Sequence, residues 1–204
     1  MKLEIHPLNP DTRKIQMAVE IIRKGGLVIF PTDTIYALGC DINNKGAIES
    51  TCRILGKKPE KANLSIICHD LSSLSEYTSP VNSVIFKLMR HCLPGPYTFI
   101  LNASRKVPKL FQNNKKTVGI RIPDNNIARE LVMALGNPLV SASVHSEDEI
   151  QDYLTDPEEI YEKYFKLADV FIDGGTGGNE PSTIIDCTSD FPEVIREGKG
   201  EVDF

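Results

Sequence analysis

PTDTIYALG, residues 31–39, comes directly after GGLVIF, residues 25–30, and the fold class hangs on this junction. Residues 27–30 are continuously apolar and leave a pair of glycines, so they form a buried strand behind a helix stop. Thr32, Asp33, Thr34 and Tyr36 then lie just beyond a strand end, where α/β proteins usually hold ligands. The Thr32 and Thr34 hydroxyls, with backbone groups freed at the strand end, suit a small polar molecule or a phosphate. Tyr36 offers a wall with a hydrogen-bonding tip. The same residues also make an ordinary turn, with Asp33 bonding its own backbone and Thr32 capping a subsequent turn.

Upstream, Ile15, Ala18, Val19 and Ile22 have the spacing of one helix face. They predict a helix over 11–24, capped by Asn9 or Asp11 and stopped by Gly25 and Gly26. Downstream, helices are expected over 47–55, 71–77, 81–92, 126–135 and 157–167, the fourth of these ended by Gly136 and the last capped by Asp156. Strands are expected over 64–68, 97–101, 117–122, 138–143, 170–173, 183–187 and 194–196. This alternation has no repeat and no linker-like break. It predicts an α/β fold, one domain over residues 1–204, with a twisted mixed sheet flanked by helices.

A chain of 204 residues with 41% hydrophobic and 25% charged residues can bury one sizeable core. No apolar run approaches the roughly 20 residues of a membrane span, and the N-terminal MKLEIHPLNP lacks the apolar centre of a signal peptide, so a cytoplasmic location is expected. Five scattered cysteines with no CxxC pair read as reduced, mostly buried thiols, not as disulfides or a structural metal site. A net charge of −5 argues against nucleic-acid binding through bulk positive charge. Two local clusters run against that average: Lys57, Lys58 and Lys61, and Arg105, Lys106, Lys109, Lys115 and Lys116. Charge runs of this kind are usually solvated surface.

Polar residues collect on particular strand faces. In TVGIRIP, residues 117–123, the period of two sets Thr117, Gly119 and Arg121 against Val118, Ile120 and Ile122. Gly119 permits a close approach, and Arg121 suits a carboxylate or phosphate held by two parallel hydrogen bonds. A surface ion pair of Arg121 with Asp124 or Glu130 is the alternative. In PLVSASVH, residues 138–145, Ser141, Ser143 and His145 align on one face, where they need partners. No G-x-S-x-G elbow accompanies them, which argues against a serine nucleophile. In PSTIIDCT, residues 181–188, hydroxyls precede a buried strand. In IREGKG, residues 195–200, Arg196 and two glycines come after one and can wrap a phosphate with backbone amides. The glycine-rich run at 174–178 reads as a flexible loop, and no P-loop or dinucleotide fingerprint is present.

PTDTIYALG, PGPYTFIL (residues 94–101), TVGIRIP, PLVSASVH and PSTIIDCT with IREGKG resemble, in order and spacing, the YrdC/YciO family. Its characterised members make L-threonylcarbamoyl-AMP from L-threonine, bicarbonate and ATP, for the threonylcarbamoyl modification of tRNA adenosine. The resemblance implies a fold similar to that of DHBP synthase, with ATP and threonine side by side in a concave polar cavity. It implies a threonine site of Thr32, Thr34, Tyr36 and Arg121, a nucleotide site of Lys57, Ser141, Ser182 and Arg196, and a reacting centre of Lys58, Ser143 and His145. Mg²⁺ would arrive with ATP, with no tightly bound metal. Synthases of the family carry a Lys-x-Arg and a Ser-x-Asn pair. In this chain Gly56 and Lys58 fill the first, and Ser143 and His145 the second, a pattern more similar to the YciO branch. For that branch the resemblance also implies double-stranded RNA or tRNA as a partner, with altered or lost synthase activity.

Overall fold

The computed structural model of the protein describes residues 1–58, 62, 64–108, 116–143 and 153–202. His145, Lys61, Lys109 and Lys115 lie outside the described residues. The strands are β1 (Lys2–Glu4), β2 (Val28–Phe30), β3 (Ala37–Asp41), β4 (Ser65–Ile67), β5 (Tyr97–Asn102), β6 (Thr117–Arg121), β7 (Leu139–Ser143), β8 (Val170–Asp173), β9 (Thr183–Asp186) and β10 (Glu193–Arg196). The helices are α1 (Thr12–Arg23), α2 (Lys45–Ile54), α3 (Leu74–Tyr77), α4 (Ser83–Cys92), α5 (Asn126–Leu135) and α6 (Pro157–Tyr164). Among the described residues no helix is long and apolar enough to cross a membrane.

The helices begin and end where local chemistry requires. Asp11, one of the two expected caps, accepts hydrogen bonds from the Arg13 and Lys14 amides at 2.8 and 3.2 Å and opens α1. Asn125 does the same for α5 through the Ala128 amide at 3.0 Å, and Gly136 ends it at φ 84°, a conformation that costs glycine little.

All ten strands form one mixed sheet in the order β1-β8-β2-β3-β7-β4-β6-β5-β9-β10, the α/β architecture expected. One face, carrying Leu38, Val140, Ile66, Ile120, Phe99 and Ile185, packs into a core with α2, α3, α4 and α6. The other face is divided. Val28, Phe30, Ala37, Leu139 and Ile67 are covered by α1 and α5. Farther along, this face changes from apolar to small and polar, and that change positions the site. The loop after β2 reaches the end of β6, where Asp33 meets Arg121.

Two strands go beyond the sequence expectation. β1 pairs in parallel with β8 at the sheet edge, and β3 occupies the end of the expected binding loop. The second, third and last helices also shift, to Lys45–Ile54, Leu74–Tyr77 and Pro157–Tyr164. The five cysteines are free and buried, and burial pushes the Cys40, Cys68 and Cys187 thiols up to about 12.

Candidate functional site

A lane of small and polar residues crosses five adjacent strands, β7, β4, β6, β5 and β9, on the face that α1 and α5 leave open. Ser141 lies opposite Ser65 in the β7–β4 pairing, and their hydroxyls are 3.0 Å apart. Ser65 lies opposite Gly119, where a Cβ would stand 3.2 Å from the Ser65 Cβ and 3.3 Å from Thr98 Cγ2. Gly119 is thus a gap between two hydroxyl residues. The Thr98 hydroxyl meets that of Ser182 at 2.8 Å. Alternation along each strand accounts for the lane: Ser141, Ser65, Gly119, Thr98 and Ser182 are each one residue away from an apolar or backbone-bonded neighbour turned the other way.

Arg121, two residues beyond Gly119, is buried on this face with 7% of its surface exposed. Its Nη2 donates to Asp33 Oδ1 at 2.8 Å and to Thr34 Oγ1 at 2.9 Å. The Asp33 side chain is also 7% exposed, and its Oδ2 accepts the Asp124 amide at 3.0 Å. The Arg121 partner is therefore Asp33 of the PTDT loop, in a buried pair, and not the surface carboxylate of Asp124 or Glu130. Burial lowers the Arg121 pKa from its ordinary value, the Asp33 charge raises it, and the nearby Arg196 lowers it again. Arg121 Nε is buried with no hydrogen-bond partner among the described residues, which is costly until an acceptor reaches it.

The two threonines of the loop set this geometry. The Thr32 hydroxyl donates to the Ile35 carbonyl at 2.7 Å and accepts the Thr34 amide at 3.1 Å. With its proton so committed, it can only accept from Thr34, 3.0 Å away, which leaves the Thr34 oxygen to accept from Arg121. Thr32 and Thr34 are thus brought together with Arg121 as its buried holders. Tyr36 turns to the opposite face. It is 2% exposed, stacks on Phe171 with centroids 5.8 Å apart, donates to the Gly175 carbonyl at 2.7 Å and accepts the Gly174 amide at 3.2 Å. Burial pushes its hydroxyl up to about 12. Tyr36 therefore anchors the 174–178 run, which is closely packed and not the free loop expected. A Cβ on Gly174 would meet Pro31, one on Gly177 the Tyr36 ring, and one on Gly178 the Thr34 carbonyl.

Arg196, exposed at the end of β10, donates through Nη2 and Nε to the Ser182 carbonyl at 2.8 and 3.2 Å, beside the hydroxyl lane. Ser143 is the last residue of β7, opposite Ala37, on the same face as Ser141. Lys57 and Lys58 come after α2, with the Lys57 amide bonded to the Cys52 carbonyl at 3.0 Å and Lys58 exposed. Neither a hydrogen bond nor an ion pair joins Lys58 to Arg121 among the described residues. His145 falls outside the described residues. Four residues beyond the expected set join the site: Asp33, Ser65, Thr98, and Lys199, whose Nζ donates to the Asp33 carbonyl at 2.6 Å. Asp33 is hidden in the sequence because Asp in a turn reads as a local capper. Ser65 is found from its register with Ser141, which sequence does not supply.

The comparisons with known proteins agree with this architecture. The family Sua5_yciO_yrdC, described as telomere recombination, matches residues 20–198. The uncharacterized protein YciO of Escherichia coli K12 is 48% identical over 97% of this chain and 95% of its own. The crystal structure of E. coli YciO has a TM-score of 0.91 at 45% identity, covering 98% of this chain and 97% of the other. A threonylcarbamoyl-AMP synthase of Halorhodospira halophila is 28% identical over 86% of this chain and 92% of its own. Sua5 of Pyrococcus abyssi complexed with L-threonine has a TM-score of 0.87 at 26% identity, with 97% of this chain matched to 57% of that one. The chain belongs to the Sua5/YciO/YrdC family, with 48% identity to a YciO protein and lower identity to the threonylcarbamoyl-AMP synthases.

Proposed function

We propose that the protein is an ATP-dependent synthase of L-threonylcarbamoyl-AMP, or an enzyme of closely related chemistry. The observation that carries the proposal is Arg121: a buried guanidinium with one edge held by Asp33 and Thr34 and its Nε lacking an acceptor among the described residues. A carboxylate of an amino acid supplies such an acceptor, with charge-assisted hydrogen bonds. The relation to a P. abyssi protein complexed with L-threonine supports threonine as that amino acid.

Arg121 stands on the middle strand of the lane, with Ser65 and Ser141 to one side and Thr98 and Ser182, leading to Arg196, to the other. In the proposed reaction the threonine amine attacks bicarbonate carbon, a C–N bond forms and water leaves to give a carbamate. One carbamate oxygen attacks the α-phosphorus of ATP, an O–P bond forms, the bond to the bridging oxygen breaks, and pyrophosphate leaves. Arg121 holds the carboxylate end and Arg196 faces the phosphates. The serine hydroxyls orient the carbamate between them, so the chemistry rests on positioning and charge neutralisation. Mg²⁺ would be carried in by the triphosphate and would neutralise phosphate charge when bound.

The test is pyrophosphate release from ATP with L-threonine and bicarbonate supplied together and omitted in turn. Release that requires both co-substrates is expected. No release, or release indifferent to threonine, contradicts the proposal.

A further inference from the structure

The segment after β10 has a held backbone and carries Lys199 to the edge of the site. The Gly198 amide donates to Thr183 Oγ1 at 3.0 Å, the Lys199 amide to the Pro181 carbonyl at 2.9 Å, and the Thr183 hydroxyl to the Gly200 carbonyl at 2.6 Å. Gly200 lies against the Tyr97 ring, and the Tyr97 hydroxyl donates to the Glu201 carbonyl at 2.9 Å. The Lys199 side chain is therefore launched from a backbone fixed on each side. Its ammonium reaches the Asp33 carbonyl at 2.6 Å, across to the loop whose carboxylate holds Arg121 at 2.8 Å.

Two cations thus grip one residue from opposite ends, and a third, Arg196, is close enough to lower the Arg121 pKa. Asp33 is committed to Arg121 and to the Asp124 amide. Among the described residues neither Arg196 nor Lys199 has an ion-pair partner. An ammonium carries three N–H donors, and the Asp33 carbonyl occupies one. The remaining two, on an exposed residue next to a guanidinium fixed on the Ser182 carbonyl, suit an acceptor of high negative charge.

We propose that Lys199 is a polyphosphate-binding residue that, together with Arg196, takes the pyrophosphate portion of a nucleoside triphosphate. This rests on the nucleotide side of the function proposed above. The contrasting role is a purely structural tether between the 195–200 segment and the PTDT loop. Charge and geometry separate the two, because arginine at this position keeps the charge and changes the tether.

The experiment is calorimetric titration of inorganic pyrophosphate into the wild type, Lys199→Met and Lys199→Arg. Lys199→Met should bind about 10-fold more weakly, and Lys199→Arg should stay within about threefold of wild type. Equal affinity in wild type and Lys199→Met overturns the inference, as does absence of wild-type binding. Equal weakening in both variants overturns it too, because the loss then tracks the tether and not the charge. Lys199-dependent pyrophosphate binding without threonine-dependent release from ATP would sink the synthase reading and leave this inference standing. Intact turnover with an affinity unmoved by Lys199→Met would do the reverse.

Discussion

At the scale of single residues, the site depends on how Asp33 and Arg121 are held. A buried ion pair is weak evidence of net stability, since desolvating both charges offsets their attraction, but losing one partner strands the other. Arg121→Met should therefore destabilise the fold by about 3 kcal/mol or more, by leaving the Asp33 carboxylate buried and unpaired. Adding Asp33→Asn removes that stranded charge, so the double variant should be more stable than Arg121→Met alone. Denaturant titration of the two variants measures this, and strictly additive losses would show that the two residues do not act as a pair. The period of two in TVGIRIP places Arg121 on the polar face, and its need for a partner is legible in the sequence. Which carboxylate meets it is not, because Asp33 lies 88 residues away and comes to Arg121 through a strand order set by long-range pairing. Tyr36 departs from expectation for a simpler reason. One residue before β3, the strand alternation carries it to the apolar face opposite Ala37.

At the scale of elements, the PTDT loop and the 174–178 run form one packed unit. A methyl on Gly178 would collide with the Thr34 carbonyl, a backbone atom that cannot move without taking the Arg121 holder with it. Gly175 is the control: it has φ 91° and open space around its Cα, so alanine there meets backbone strain alone. Gly178→Ala should lower the melting temperature and depress threonine-dependent turnover, whereas Gly175→Ala should cost only about 1 kcal/mol of stability and leave the Arg121 site in place. Equal turnover in the two variants would mean that the packing of the 174–178 run does not set the site. The helices are legible in the sequence because their apolar spacing and caps are local signals, as Asp11, Asn125 and Gly136 illustrate. β3 is not, because Ala37–Asp41, with Ala, Gly and Asp among its five residues, lacks the β-branched run that marks a strand. β1 escapes notice because three edge residues carry too short a pattern to register.

At the scale of the molecule, function depends on where the helices stop. Helices α1 and α5 cover the apolar part of one sheet face, and beyond them the same face presents small polar residues on five strands, with Arg121 on the middle one and the Arg196–Lys199 segment at one side. The alternation of elements and the family resemblance are legible in the sequence. The strand order is not, since β7 lies between β3 and β4 through contacts of long sequence separation. That order is what assembles the lane and sets Arg121, suited to a carboxylate, beside Arg196 and Lys199, suited to phosphates. The decisive experiment is to incubate the protein with ATP, L-threonine and carbon-labelled bicarbonate and to chase the label into an adenylate. A labelled threonylcarbamoyl-adenylate formed in step with pyrophosphate is the expected product. Pyrophosphate without label in the adenylate, or neither product, would overturn the synthase assignment.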